Sequence, residues 1–229
     1  MSTENKSFNK EWLSKKFSNP FNWVGSKHRY LKDLFDALPA KENLKVLDPF
    51  VGGGDLISKL NNSWDIDAGD YMSEVISLHN AIKDSVFTPE TILNEYNKRG
   101  MSKENSEAFL NLRIEYNETK DIKLLYLLMT NSFNNQLRFN QSGGFNMPFG
   151  KDRSSFNPNM KAKLNNYQNS LKGREVNFIN QCYKEFNFLD YDLLLIDPPY
   201  LNTTATYNES TGWSKTDDLE LFNRLDQAN

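Results

Sequence analysis

Apolar positions along the chain alternate between short strand-like runs and longer helical stretches. Lys45-Val46-Leu47-Asp48 reads as a strand running into the glycine loop Gly52-Gly53-Gly54, and the pattern predicts a helix from Asp55 to Leu60. A second strand is expected around Ile66 to Gly69, then a helix from Ser73 to about Lys83 carrying Val75, Ile76, Leu78 and Ile82. From Pro89 to about Asn134 the pattern is helical. Phe109, Leu112 and Tyr116 share one face, and Leu124, Leu125 and Leu128 another. Thr88 before Pro89 is a sound helix start, because proline in the first turn forfeits no hydrogen bond. Gly143-Gly144, set between Leu137-Arg138-Phe139 and Phe145-Asn146-Met147, predicts a hairpin. A further helix is expected from Asn159 to Leu171, and Leu193-Leu194-Leu195-Ile196 reads as a buried strand ending in Asp197-Pro198-Pro199-Tyr200. This succession is the grammar of an open α/β sheet. The stretch from Ser85 to Glu175 interrupts it and is expected to be an inserted, mainly helical domain.

Composition narrows the class. With 229 residues, and ~150 per domain as the usual yardstick, one domain with a sizeable insertion fits better than two full ones. The 38% of hydrophobic residues supplies a core and argues against wholesale disorder. The longest apolar runs, such as Leu124 to Met129, fall far short of the ~20 residues that span a bilayer. Met1 to Lys10 lacks the apolar stretch of a secretion signal, and the single Cys182 excludes an internal disulfide or a Cys-rich zinc site. A soluble, cytoplasmic protein without membrane contact or metal is expected. Net charge is −3, yet basic residues cluster: Lys15, Lys16, Lys27, Arg29 and Lys32 in one stretch, and Arg138, Lys151, Arg153, Lys161, Lys163, Lys172 and Arg174 in another. These read either as a solvated surface or as two phosphate-facing patches on a mildly acidic body.

Three places carry candidate chemistry. Glycines at a strand-to-helix turn let backbone approach a ligand closely, but this loop lacks the Gly-Lys-Ser/Thr of a Walker loop and serves equally as a tight structural turn. An acid at the end of the second strand commonly binds ribose hydroxyls, and Asp65, Asp67 and Asp70 all compete for that place. The sharpest signal is Asp197-Pro198-Pro199-Tyr200. Two prolines remove two backbone donors, so a carboxylate, a carbonyl and an aromatic ring are presented together at a parallel strand end. An amino group with two hydrogens could donate to Asp197 and the Pro198 carbonyl while its ring stacks on Tyr200; the other reading is a rigid loop with a core tyrosine. His28 and His79 have no partner spacing for a metal or a triad and read as structural.

These pieces, in this order, resemble the Dam-type DNA adenine methyltransferases in their α-group arrangement, with the flavour of phage enzymes. The matching residues are Trp23-Val24-Gly25-Ser26-Lys27, Asp48-Pro49-Phe50-Val51-Gly52-Gly53-Gly54, Asp70 ahead of Val75-Ile76-Ser77-Leu78-His79-Asn80, and Asp197-Pro198-Pro199-Tyr200. Inside the insertion, Phe109 to Arg113, Asn134 to Asn140 and Gly144 to Gly150 match as well. The resemblance implies a Rossmann-like sheet, dependent on S-adenosylmethionine, built from residues 1–84 and 176–229. It implies a target-recognition domain at 85–175 with a DNA-reading hairpin at 136–150. S-adenosylmethionine would be the methyl donor, and the exocyclic amino group of adenine in double-stranded DNA, within GATC, the acceptor. Carried over by residue, Asp197, Pro198, Pro199 and Tyr200 are catalytic. Trp23, Lys27, Asp70 and Asp197 line the cofactor site, with Phe50, Gly52 and Gly54 against the methionine end; the family register selects Asp70 over Asp65 and Asp67. Asn134, Arg138, Pro148, Lys151 and Arg153 face DNA, with Arg138 suited to bidentate reading of guanine. Lys151-Asp152-Arg153 departs from the family by placing an acid between the bases.

The family pattern continues beyond the helix expected at Thr216 to Ala228, whose Leu219, Phe222 and Leu225 share a face, so the last strands of the sheet are expected to be missing. The strand before Asp197 then becomes an apolar edge with Leu193 to Ile196 unshielded, which invites a second chain or a homodimer. An alternative reading is a truncated, non-catalytic DNA-binding or interaction protein. Methylation of a protein glutamine or of RNA uses a related strand end but leaves the hairpin without a role.

Overall fold

In the computed structural model, which describes residues 20–21, 31–201 and 213–228, four parallel strands lie side by side in the order β3-β2-β1-β4. The elements are α1 (Leu31–Ala37), β1 (Lys45–Asp48), β2 (Asp65–Asp70), α2 (Ser73–Lys83), α3 (Pro89–Lys98), α4 (Ser106–Thr119), α5 (Ile122–Asn131), α6 (Pro158–Leu171), β3 (Val176–Asn180), β4 (Leu193–Leu194) and α7 (Lys215–Ala228).

Helix starts follow local chemistry. Thr88 accepts from the Thr91 N–H with Pro89 in the first turn, Asn105 accepts from Ala108, Asp121 from Lys123 and Asn157 from Met160. The helical pattern expected over Pro89 to Asn134 divides into three helices at Gly100 (φ 62°) and Lys120 (φ 57°), where the backbone turns left-handed. The expected helix from Asp55 to Leu60 is instead a single 3-10 turn, Ile57–Lys59. The Arg174 guanidinium takes the carbonyls of Ile57 and Leu60, groups that a continuing helix would use itself. β3 has no counterpart in the sequence pattern, although Val176 and Phe178 are buried in strand-like alternation with exposed Asn177.

Alternation within the strands divides the core between the two faces. Val46, Ile66, Ala68, Val176 and Phe178 join the large buried cluster that includes Ile76, Leu78 and Ile82 of α2, with residues of α5 and α6. Leu47 faces the other way, with Tyr183, Phe186, Phe188 and Leu221 of α7. Helices α5 and α6, inside the stretch 85–175, contribute Leu124 to Met129, Leu164 and Tyr167 to the same buried cluster as the sheet. Gln168 of α6 also donates to Ile82 O at the end of α2.

Two expectations about the last elements change. β4 forms ladder pairs only at Val46–Leu193 and Leu47–Leu194, and Leu195 N–H donates to Leu47 O (2.8 Å) before the prolines, which have no donor. Its side chains are partly covered: Leu195 is buried in the first cluster, Leu193 is half-buried against the same cluster, and Leu194 and Ile196 are half-buried against the second, beside α7. α7 turns Leu221 inward with Leu225 and Ala228, a helical spacing, while Leu219 and Phe222 are exposed. Among the described residues, no helix is long and apolar enough to cross a membrane.

Candidate active site at the strand ends

The chain leaves β1 through Asp48, only 4% exposed, and enters the glycine loop. Val51 N–H donates to Gly69 O (2.8 Å), tying the loop to β2, and Gly52 N–H donates to Asp70 Oδ2 (3.1 Å). Met72 N–H donates to Asp70 Oδ1 (2.9 Å), so the acid at the end of β2 clasps the loop and the start of α2 together. Asp67 instead accepts from Asn177 and Tyr191, and Asp65 is exposed at the opposite end of the strand. Of the three competing acids, Asp70 is the one at the loop.

Asp48, Asp70 and Asp197 form an acidic group. Burial raises the Asp48 carboxyl to about 7, and the charges of Asp197 and Asp70 add to the rise against a hydrogen bond from Phe50 N–H. Burial likewise raises Asp70 to about 6, against hydrogen bonds from the Met72, Gly52 and Tyr71 backbone. At the end of β4, the Tyr200 hydroxyl donates to Asp197 Oδ1 (3.1 Å), and Tyr200 is 56% exposed. Trp23 and Lys27 lie outside the described residues.

Behind the loop, His79 Nε2 lies 2.8 Å from Gly52 O and Nδ1 lies 2.8 Å from the Tyr167 hydroxyl. A carbonyl only accepts, so Nε2 carries the proton. Burial lowers the imidazole to about 4 and raises the Tyr167 phenol, so the neutral ring accepts at Nδ1 from a protonated tyrosine. Phe50 turns its ring toward Tyr183 (5.3 Å) and Trp213 (5.7 Å), an aromatic group that bridges the loop to α7. In the sequence alone His79 reads as structural, and Tyr167, Tyr183 and Trp213 sit in no motif that marks them for the site. A signal existed for His79, since its spacing from Val75 and Ile82 puts an imidazole on the buried face of α2.

The expected hairpin is present and begins earlier than residue 136. Gly150 N–H donates to Asn131 O, Phe133 to Pro148 O, Asn146 to Arg138 O and Asn140 to Gly144 O. Asn134 and Asn135 adopt left-handed φ values of 56° and 54°, where asparagine is tolerated best after glycine. Arg138 donates through Nε to Asn146 Oδ1 (2.8 Å) and through Nη2 to Asn146 O (2.7 Å), which holds its guanidinium along the hairpin. Asn134, Pro148, Lys151 and Arg153 are exposed. The second basic patch loses Arg174, which is buried, and Lys161, which pairs with Glu90 (3.2 Å). Lys15, Lys16, Lys27 and Arg29 of the first patch lie outside the described residues. A cavity of about 610 Å³ lies beside the hairpin tip, between Ser142, Gly143, Lys120, Tyr116 and the first turn of α2. Among the described residues, no group of three His, Cys, Asp or Glu is placed to hold a metal ion.

Residues 23–229 match the family of D12 class N6 adenine-specific DNA methyltransferases. The chain belongs to that family. The D12-class chain is 36% identical over 222 residues to the type II methyltransferase M.FokI of Planomicrobium okeanokoites, covering 92% of this chain and 34% of the relative. It is 32% identical to the modification methylase StsI of Streptococcus sanguinis, over 94% of this chain and 34% of the relative. It is 30% identical over 201 residues to a DNA adenine methylase of Vibrio cholerae, over 83% of this chain and 68% of the relative. The chain therefore spans about a third of the length of the first two relatives and about two thirds of the third.

Proposed function

We propose that this chain transfers a methyl group from S-adenosylmethionine to the exocyclic amino group of adenine in double-stranded DNA, in the manner of Dam-type enzymes, with GATC as the sequence it reads. The observation that carries the proposal is the meeting of Asp48, Asp70 and Asp197 at neighbouring parallel strand ends, between a glycine loop and a prolyl turn. Membership of the D12 class and the DNA adenine methylases among its relatives support the same reading.

The acids suit such a donor. Burial makes the Asp48 and Asp70 carboxylates costly, and a ligand bearing a sulfonium and an ammonium charge relieves that cost. Phe50, Gly52 and Gly54 are assigned to the methionine end, Asp70 and Asp197 to the cofactor site, and Trp23 and Lys27 to the same site through the resemblance. S-adenosylmethionine supplies an already activated methyl group, so positioning supplies much of the remaining catalysis.

An adenine amino lone pair is delocalised into its ring and is a poor nucleophile. Hydrogen bonds from its two hydrogens to the Asp197 carboxylate and the Pro198 carbonyl favour a pyramidal nitrogen aimed at the methyl carbon, and Pro199 keeps the strand end extended. The target base must leave the helix, at a cost of a few kcal/mol. Stacking on the exposed Tyr200 ring, worth roughly 1–3 kcal/mol, offsets much of it. On the hairpin, Arg138 reads guanine, and Asn134, Pro148, Lys151 and Arg153 form the surface around it.

The test is transfer of labelled methyl to duplex DNA, followed by methylation-sensitive digestion at GATC. Asp197→Ala is expected to abolish transfer, and near-normal turnover by that variant overturns the assignment.

A further inference from the structure

We infer that Tyr167 and His79 are positioning residues that aim the Gly53 N–H, as a hydrogen-bond donor, at the carboxylate of the methyl donor. The inference rests on the proposed use of the glycine loop for that donor.

One peptide group, between Gly52 and Gly53, sets the geometry of the loop. Gly52 is gripped at both ends: its N–H donates to Asp70 Oδ2 and its carbonyl accepts from His79 Nε2. In a trans peptide the carbonyl of one residue and the N–H of the next point in opposite directions. Anchoring the Gly52 carbonyl on His79 therefore turns the Gly53 N–H away from His79, toward the other side of the loop. Gly53 is buried, and among the described residues nothing accepts from its N–H. Buried backbone donors are nearly always paired, so this one calls for an acceptor from a ligand.

The anchor itself is stiff. His79 stacks on Phe178 (centroids 4.5 Å apart, planes 7° apart) and meets the Phe21 ring at 4.8 Å. Tyr167 fixes the ring from behind through its 2.8 Å bond to Nδ1, and both side chains are fully buried. The loop cannot retreat onto them: at Gly54 (φ 72°) an added Cβ would lie 2.5 Å from the Tyr167 hydroxyl and 2.8 Å from His79 Cε1. Removing the hydroxyl leaves Nδ1 without its donor and frees the imidazole to exchange its tautomer, and with it the grip on Gly52. Tyr167 belongs to α6 and His79 to α2, so the stretch between α2 and β3 reaches the loop through a two-side-chain chain of hydrogen bonds.

The experiment measures binding of S-adenosylmethionine and of 5′-methylthioadenosine, which keeps the adenosine but lacks the amino-acid carboxylate, by calorimetry. Tyr167→Phe and His79→Phe are each expected to weaken the full donor about tenfold, the size of one lost hydrogen bond to a charged group, and the thioether by less than about twofold. The double variant is expected to match the singles, because the two side chains act in series. His79→Gln, which keeps a donor for Gly52 O and an acceptor for Tyr167, is expected to recover most of the loss. Tyr167→Phe keeps the ring and carries the test if His79→Phe does not fold. Unchanged donor affinity in Tyr167→Phe, or equal loss of both ligands, overturns the positioning role alone. A wild-type chain that binds neither ligand overturns the proposed function, and the positioning role falls with it.

Discussion

Asp48 sits where a negative charge is costly. Its folded value of about 7 lies above the ordinary 3.8, so folding favours the protonated form. The penalty is absent below the ordinary value, grows as pH rises from there to about 7, and is constant above. Asp48→Asn keeps an oxygen for the Phe50 N–H and removes the charge. It is expected to stabilise the protein by about 2–4 kcal/mol at about pH 8 and hardly at all at about pH 4, since a tenfold change in proton affinity is worth about 1.4 kcal/mol. Thermal melts of both proteins at the two pH values check this. The same variant is expected to bind the cationic methyl donor more weakly, a trade of stability against function.

At the scale of elements, one side chain of α4 takes the place of a neighbouring strand for the hairpin. Asn117 Oδ1 accepts from Phe145 N–H (2.8 Å) and its Nδ2 donates to Phe145 O (3.3 Å), while Lys120 donates to Gly143 O (2.8 Å). Asn117→Ala is expected to cost about 1–2 kcal/mol and to speed amide exchange at Phe145, with DNA affinity falling and donor affinity unchanged. How much was legible also divides by element. β1 and α2 follow directly from their local pattern, and the Asp-Pro-Pro-Tyr and glycine segments show their chemistry in consecutive residues. The 3-10 turn at Ile57–Lys59 could not be read, because Arg174, which holds its carbonyls, lies more than a hundred positions away. The bond between Tyr167 and His79 is illegible for the same reason: it joins residues 88 apart, so spacing can bury the imidazole but cannot name its partner. β3 was missed because asparagines dilute a five-residue run.

For the whole molecule, the sheet and the helices of residues 85–175 share one buried cluster, so cutting one part loose exposes the other. Thermal unfolding is expected as a single transition in which calorimetric and van't Hoff enthalpies agree, and Leu128→Ala, in the middle of that cluster, is expected to lower it as a unit by about 2–5 kcal/mol. The pairing of β2 with β3 sets the order in which the chain assembles. Asp67 and Asn177, hydrogen-bonded across that ladder, are 110 residues apart. Closing so long a segment costs entropy before any bond repays it, whereas α2 to α6 are built from near neighbours. The helices are therefore expected to form while β2 still lacks its outer neighbour, and the wall beside Asp70 to be completed only once β3 has been made.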